Sequence, residues 1–492
     1  MGEIQRQSIY NSLVAYLGIL LGFLNMGILF PFVLTTEQIG LYAVIAAIGQ
    51  VGSNMFRFGV PNIAMRYLPF FRNDEVKLSQ FIGFQILLVA LGGALFVLLY
   101  SLFKPMLASW FRGDSLLFDS YSQLAVPFTL FMLAFELFFG FCRANILTVA
   151  AGFARDVLFR MVIFALIIAF HFQLISFHQF IWVYSFAYAI PTLFLLLYLV
   201  SKHNLPINFR FSSFENLKTM FIYGCFVSMG SLSMVLLNEL DKIMITGMVD
   251  LDATGVYAVS AFFGAVIVAP AKSLFMIASP IIAQFMKDGE MEKIARVYSK
   301  SAINLLAVGL LIYVGLCVNL DNIFAILPEK FAPGYYVVVF IGLSKLIEMG
   351  TGANGDIILN SKYFRYDLLL NFCLAVLAIG TNLILIPMHG IIGAAIATAI
   401  SIFLFNTFRG IFIYWKFRMQ PYSMKTVYCI LIGLLVLAIN HFLPRWDNVY
   451  LDIIIRSTFA VGVYVPLLLV FNISPDINGM VTKLLAQAKG RK

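Results

Sequence analysis

The sequence contains few charged residues for its length. Only 12% of its 492 residues are Asp, Glu, Lys or Arg, against roughly 25% in soluble domains, while 61% are apolar or aromatic. A membrane-spanning helix needs about 20 apolar residues, so about 14 spans would account for most of the apolar sequence. The composition therefore excludes a water-soluble protein and predicts an all-α integral membrane protein without a large soluble domain.

Motifs for catalysis, metal binding and nucleotide binding are also missing. The five cysteines lie in apolar stretches without a CxxC spacing, and they are predicted to be buried free thiols. The five histidines lack metal-ligand spacing, and no Gly-rich phosphate loop or nucleophile motif is present. We therefore expect neither an enzyme nor a resident metal or cofactor.

The positive charge of the chain is unevenly distributed between alternate connections. Connections after even-numbered spans, together with both termini, contain 21 of the 33 Lys and Arg residues, whereas the opposite connections contain four. This asymmetry predicts cytoplasmic N- and C-termini by the positive-inside rule. The net charge of +9 is thus explained by membrane topology, and no nucleic acid partner is expected.

Two stretches of sequence repeat at similar intervals. Gly40 to Val44 reappears as Gly255 to Val259, a shift of 215, and Asp156 matches Asp367 at a shift of 211. Because each half then holds an even number of spans, the repeats are predicted to be parallel. The predicted domains are lobes 1–203 and 218–417 with six helices each, a linker 204–217, two appended helices within 418–472, and a basic cytoplasmic tail 473–492.

Three segments resemble the polysaccharide-exporter branch of the MOP flippase superfamily. They are Asn238-Glu239-Leu240-Asp241-Lys242 followed by Gly255-Val256-Tyr257; Phe58-Gly59-Val60-Pro61; and Thr381 to Pro387 with Gly390 to Thr398. The resemblance implies two six-helix lobes around a central cavity, two extra C-terminal helices, and translocation of lipid-linked oligosaccharides across the cytoplasmic (inner) membrane. It further implies a lipid-linked glycan and membrane lipids as partners, with the glycan polymerase machinery as a further candidate.

Ionisable residues inside predicted spans are candidates for function because their burial is costly. Arg57 and Lys272 occupy matching positions in the two repeats. The predicted substrate-binding cations, which would suit a pyrophosphate group, are Arg57, Arg143, Lys242, Lys272 and Lys345. Arg160, Arg409 and Arg456 lie near span ends and are instead expected to reach the lipid headgroups.

The candidate ion-coupling acids are Glu136, Asp241 and Glu348. Local pairing is the alternative, because Glu136 and Arg143 share a helical face and Glu348 follows Lys345 by three residues.

Two other functions stay open at this point. A cation-coupled multidrug exporter of the same superfamily has two six-helix lobes, but its hallmark acid in span 1 is missing here. A membrane glycan polymerase or ligase would need a sizeable outer region, whereas the longest outer connection predicted is about 20 residues.

Overall fold

The computed structural model describes residues 2–110, 116–202, 205–210, 217–479 and 481. Within these ranges, the side chains of residues 2–9, 108, 116, 272, 273, 276 and 277 are not described. Twelve helical stretches of the described residues are long and apolar enough to cross a membrane. The chain is therefore an all-helical, multi-pass membrane protein, as its composition predicts.

Two features explain why twelve such stretches accommodate about 14 expected spans. The 54-residue stretch Phe364–Phe417 is two helices that meet at Gly390, whose dihedral angles (φ 56°, ψ −134°) are not helical. The residues from Thr148 to His171 form two α-helices joined by the π-helix Phe153–Leu158. This passage carries three charged residues, Arg155, Asp156 and Arg160, and it is not one of the twelve apolar stretches.

The chain divides into two compact units, Met1–Val259 and Ser260–Lys492. The helices that begin in the first unit are α1 (Gly2–Gly22), α2 (Phe30–Val33), α3 (Thr36–Phe56), α4 (Val60–Phe71), α5 (Glu75–Trp110), α6 (Leu116–Tyr121), α7 (Ala125–Ala144), α8 (Thr148–Gly152), α9 (Phe159–His171), α10 (Phe177–Ser185), α11 (Ala189–Lys202), α12 (Leu217–Met248) and α13 (Leu251–Ala265). A π-helix, Phe23–Leu29, joins α1 to α2, and a 3₁₀ turn, Ser122–Leu124, precedes α7. The predicted lobe boundary at 204–217 stays a prediction.

The second unit contains the remaining helices, with 3₁₀ turns at Val266–Val268 and Glu329–Gly334. These helices are α14 (Ala269–Asp288), α15 (Met291–Val318), α16 (Leu320–Ile326), α17 (Tyr335–Gly350), α18 (Asn354–Leu359), α19 (Phe364–Phe417), α20 (Met424–His441) and α21 (Val449–Val470). The appended helices α20 and α21 pack on α15 through Cys429, Tyr464 and Val314. The tail predicted at 473–492 is described only to residue 479 and at 481.

The two segments that repeat in the sequence contact each other at the starts of α3 and α13. A Cβ atom on Gly40 would lie 2.0 Å from the Leu251 carbonyl oxygen, and one on Gly255 would lie 1.9 Å from the Thr36 carbonyl oxygen. Leu251 is the counterpart of Thr36 at the same shift of 215 residues, so the two contacts are reciprocal. Small residues at both positions let the helix backbones touch, which is the packing that lipid-embedded helices favour.

The polar bend after α17 is packed against neighbouring helices. Thr351 and Asn354 both donate hydrogen bonds to the side-chain oxygen of Asn406, at 3.0 and 2.9 Å. Gly352 has a φ of +60° and approaches Ala302 so closely that a Cβ atom would lie 2.7 Å from its amide nitrogen. All five of these residues are buried, so helix packing accounts for this bend.

Candidate substrate site

A break in the second membrane passage places Arg57 between two helices. Arg57 caps the C-terminus of α3, and Phe58 (φ 47°) and Gly59 (φ 70°) adopt left-handed conformations before α4 begins with Val60 and Pro61. A glycine adopts this conformation readily, and a proline suits the first turn of a helix. The side chain of Arg57 is therefore directed from a helix break rather than from a continuous helix.

The same break brings the backbone of this passage against α12. A Cβ atom on Gly59 would lie 2.2 Å from the Gly224 carbonyl oxygen, and one on Gly224 would lie 2.3 Å from the Phe58 carbonyl oxygen. The aromatic rings of Phe58 and Phe221 lie 5.6 Å apart beside this contact. Only glycine at both positions allows so close an approach, which positions Arg57 next to α12.

Glu136, on α7, lies between two arginines. Its Oε2 atom accepts from Arg57 Nη1 at 2.8 Å, and its Oε1 atom accepts from Arg155 Nη2 at 2.6 Å. The Glu136 side chain is only 7% exposed. Each carboxylate oxygen thus receives its own charge-assisted hydrogen bond, the stronger class of hydrogen bond in proteins.

Arg57 also bonds to α12, but it does not use all of its donors. Its Nη2 atom donates to the Ser231 hydroxyl at 3.0 Å, while Ser231 itself donates to the Ser228 carbonyl at 2.9 Å. Arg57 Nε is buried and has no hydrogen-bond partner among the described residues. A guanidinium group offers five N–H donors, so this one retains capacity for a further acceptor.

Arg155 and Arg143 complete a cationic cluster around Glu136. Arg155 lies on the π-helix Phe153–Leu158, and its guanidinium group stacks on the Phe139 ring at 3.5 Å. Arg143 lies 5.6 Å from the same ring and within electrostatic range of Arg155 and Glu136. Three guanidinium groups and one carboxylate give this arginine cluster (Arg57, Arg143, Arg155 and Glu136) a net charge of +2.

Two of the other predicted cations have acidic partners of their own. Lys242 pairs with Glu239 on α12 at 2.6 Å, and Lys345 pairs with Glu348 on α17 at 3.2 Å. Lys272 lies on α14, but its side chain is outside the described residues. The structure thus brings together Arg57, Arg143 and Glu136 from the predicted set.

The remaining predicted acids occupy separate environments. Asp241 is buried and accepts a hydrogen bond from the Tyr257 hydroxyl, whereas Glu348 is 30% exposed beside Lys345. Glu348 has the local pairing expected from its spacing. The alternative considered for Glu136, pairing with Arg143, does not occur as a direct contact, because Arg57 and Arg155 reach its two oxygens instead.

Three arginines expected at the lipid headgroups have protein partners. Arg160 donates to the Gly18 carbonyl, and Arg409 pairs with Asp367 at 2.5 Å. Arg456 is 7% exposed and pairs with Asp452 at 2.7 Å. The expectation was wrong because the position of an arginine along a span does not reveal which acceptors the rest of the fold brings to its side chain.

Arg155 is the site residue that the sequence reasoning missed. It lies near the start of its predicted span, where cations are common and carry little information. Its distance of 12 residues from Arg143, across the short turn between α7 and α8, was the available signal. The π-helix that presents it has no equally clear sequence signature. Among the described residues, no group of three or more His, Cys, Asp or Glu side chains is placed to hold a metal ion.

Comparison with protein families matches residues 4–286 to the model of a polysaccharide biosynthesis protein family. A comparison with curated protein sequences finds no match.

Solved structures share the fold at low sequence identity. The lipid II flippase MurJ in an inward closed conformation has a TM-score of 0.70 and 14% identity, covering 94% of this chain and 98% of that chain. An inward-facing multidrug resistance MATE transporter of the MOP superfamily has a TM-score of 0.63 and 14% identity, covering 84% and 94%. The MATE multidrug transporter DinF-BH in complex with R6G has a TM-score of 0.55 and 15% identity, covering 84% and 95%. These proteins are transporters and flippases, not enzymes.

Proposed function

Because the chain belongs to the polysaccharide biosynthesis protein family and has a MOP-superfamily fold, we propose that it is a flippase for a polyprenyl-pyrophosphate-linked oligosaccharide. The substrate would be an O-antigen, capsule or exopolysaccharide unit, carried from the cytoplasmic to the outer leaflet of the inner membrane. The termini would lie in the cytoplasm, and the polymerase machinery would receive the product.

The observation that carries this proposal is the arginine cluster. A pyrophosphate leaving bulk water needs cationic donors, and arginine binds phosphate oxygens in a bidentate manner. The net charge of +2 around Glu136, with Arg155 40% exposed, supplies both the attraction and an accessible donor.

In the proposed cycle, lobes 1–203 and 218–417 rock to expose the headgroup site first to the cytoplasm and then to the outside. The isoprenoid tail stays in the lipid throughout. The appended helices α20 and α21 would offer a lateral groove for that tail, a role suggested by the resemblance to the family.

A multidrug exporter is the less favoured alternative despite the shared fold. The arginine cluster is positive, which disfavours a cationic cargo. In addition, the first passage, residues 10–33, carries Asn11 and Asn25 but not the acid expected of an exporter of cations, and Asn25 donates to the Arg160 carbonyl.

Localisation of the lipid-linked glycan in cells lacking the protein tests the proposal. We expect the glycan to accumulate on the cytoplasmic leaflet and export to stop. Normal export without accumulation would contradict flippase function, and accumulation of unpolymerised glycan on the outer leaflet would point to a polymerase. Increased drug sensitivity with normal glycan export would point to a multidrug exporter.

The proposed energy source is an ion gradient, the membrane potential or consumption of the product, and Glu136, Asp241 and Glu348 are the candidate coupling acids for an ion gradient. A proton or sodium ion would compete with a nearby Arg or Lys for the carboxylate as the lobes rock. In reconstituted vesicles, neutralising Glu136 and Glu348 together should abolish the dependence of flipping on an imposed pH or sodium gradient. Unchanged gradient dependence would show that both residues have a structural role instead.

A further inference from the structure

Glu136 occupies the place that an anionic ligand would take between two guanidinium groups. Its two oxygens are bound by different arginines, Arg57 from the α3–α4 break and Arg155 from the π-helix. A phosphate group bridging two arginines would present its oxygens to the same N–H donors. The carboxylate therefore satisfies these donors with the same type of contact that a phosphate would make.

The arginine cluster needs an anion even when no substrate is bound. Arg57 is 12% exposed, and its charge is accompanied by those of Arg143 and Arg155. Buried like charges repel, and a buried cation without a partner is strongly unfavourable. A carboxylate built into α7 removes this cost in the empty site.

Glu136 nevertheless leaves much of the cluster's binding capacity unused. Arg57 Nε has no partner among the described residues, and Arg155 is 40% exposed on the face of Phe139. A diphosphate has more oxygens and more negative charge than one carboxylate, so it can use these additional donors.

We propose that Glu136 is a resident counter-anion, which the diphosphate of the substrate displaces from Arg57 and Arg155 on binding. This inference rests on the proposed function and adds how the site is kept ready when empty. It differs from a structural salt bridge, in which the pair would persist in every state.

Calorimetry with inorganic pyrophosphate on the purified full-length protein tests this proposal. Glu136→Gln removes the competing carboxylate, so we expect it to bind pyrophosphate about tenfold more tightly than the wild type. Weaker or equal binding by Glu136→Gln would overturn the displacement.

A control variant and a second pair of variants accompany this test. Asp367→Asn removes the acid from another buried acid–arginine pair, that with Arg409, and should leave pyrophosphate affinity unchanged. Where Glu136→Gln fails to fold, Arg155→Gln and the double variant Glu136→Gln plus Arg155→Gln provide a charge-balanced comparison. The double variant should bind more tightly than Arg155→Gln alone.

The same measurements separate this inference from the proposed function. Pyrophosphate binding by the wild type without tighter binding by Glu136→Gln contradicts the displacement alone. Absence of binding by both proteins, with normal glycan export in cells lacking the protein, contradicts the flippase function as well.

Discussion

Two arginines with little exposed surface, Arg456 in the appended helices and Arg57 in the first unit, differ in how many of their N–H donors have an acceptor in the protein. Arg456 Nε donates to Asp452, its Nη1 donates to both oxygens of Asn440, and its Nη2 donates to the Leu443 and Pro444 carbonyls. Every donor of this guanidinium group has an acceptor. The group therefore closes the turn between α20 and α21 and has nothing left to offer a ligand.

Arg57 is paired with Glu136 and Ser231, and its Nε has no partner among the described residues. Its partner carboxylate is shared with Arg155, so the local charge is positive rather than neutral. Burial of a charge therefore does not by itself identify a functional residue. The number of unused donors and the local charge balance separate a ligand site from a structural clamp.

The largest expected effect comes from removing the saturated arginine. Arg456→Ala leaves the buried Asp452 uncompensated, which should destabilise the protein by about 3–5 kcal/mol. The unfolding temperature of the purified protein and the yield of folded protein measure this loss. A double variant, Asp452→Leu plus Arg456→Met, should recover most of the stability, and a wild-type unfolding temperature for Arg456→Ala would show that the clamp is dispensable.

Removal of the unsaturated arginine should instead affect transport. Arg57→Ala should slow flipping in vesicles at least about tenfold, because bonds to a charged donor are lost, with little change in folded protein since Arg155 still pairs with Glu136. Arg57→Lys keeps the charge without the bidentate geometry and should retain partial activity. Lys272→Ala is the matched change in the second repeat, and wild-type flipping by the double Ala variant would refute the cationic site.

A smaller effect is expected from the ring beneath Arg155. Phe139→Leu removes the cation–π contact, worth about 0.5–1 kcal/mol at a partly exposed site, and should slow flipping about two- to fivefold. Phe135→Leu is a useful comparison because that ring lies farther away, 5.9 Å from the same guanidinium group. Equal slowing by both changes would show that general packing, rather than the stacked cation, matters.

The smallest effect concerns an exposed pair, Asp476 with Lys300 at 3.0 Å. Hydrogen bonds from Asn304 and Lys300 hold the pKa of Asp476 below its ordinary value of 3.8. Its contribution is therefore fully present above that value and is lost as the pH falls through the lower pKa of the folded state. The unfolding temperature of Asp476→Asn should be slightly below that of the wild type at pH 7, and the gap should close as the pH falls below 3.8 and through the lower pKa of the folded state.

Much of the fold was predictable because a bilayer imposes few choices. Long apolar runs must become helices, and charge asymmetry and repeats give a consistent order of spans. The expected count of about 14 spans already includes the two separate helices that meet at Gly390. The π-helix Phe153–Leu158 was not predictable, because the composition of its passage does not indicate it.

The site was predictable only in part. The cost of burying a charge identified Arg57, Arg143 and Glu136 as candidates, and the structure places them together. Arg155 was missed because its place near the start of a predicted span makes a cation unremarkable. Arg456 was misinterpreted because its acceptors, Asn440 and the two carbonyls after it, belong to the preceding helix and turn.

The order of residues alone is enough to conclude that this protein spans a membrane as a series of helices and to identify the charged residues in its apolar stretches. These properties depend on composition and on the order of neighbouring residues, and both can be read from the amino-acid sequence. Only the tertiary structure decided which charges are neutralised. Arg456 meets five acceptors and Arg57 only two, because different segments of the chain come together around them. The contact of Gly59 with Gly224, which positions Arg57, depends on packing between helices.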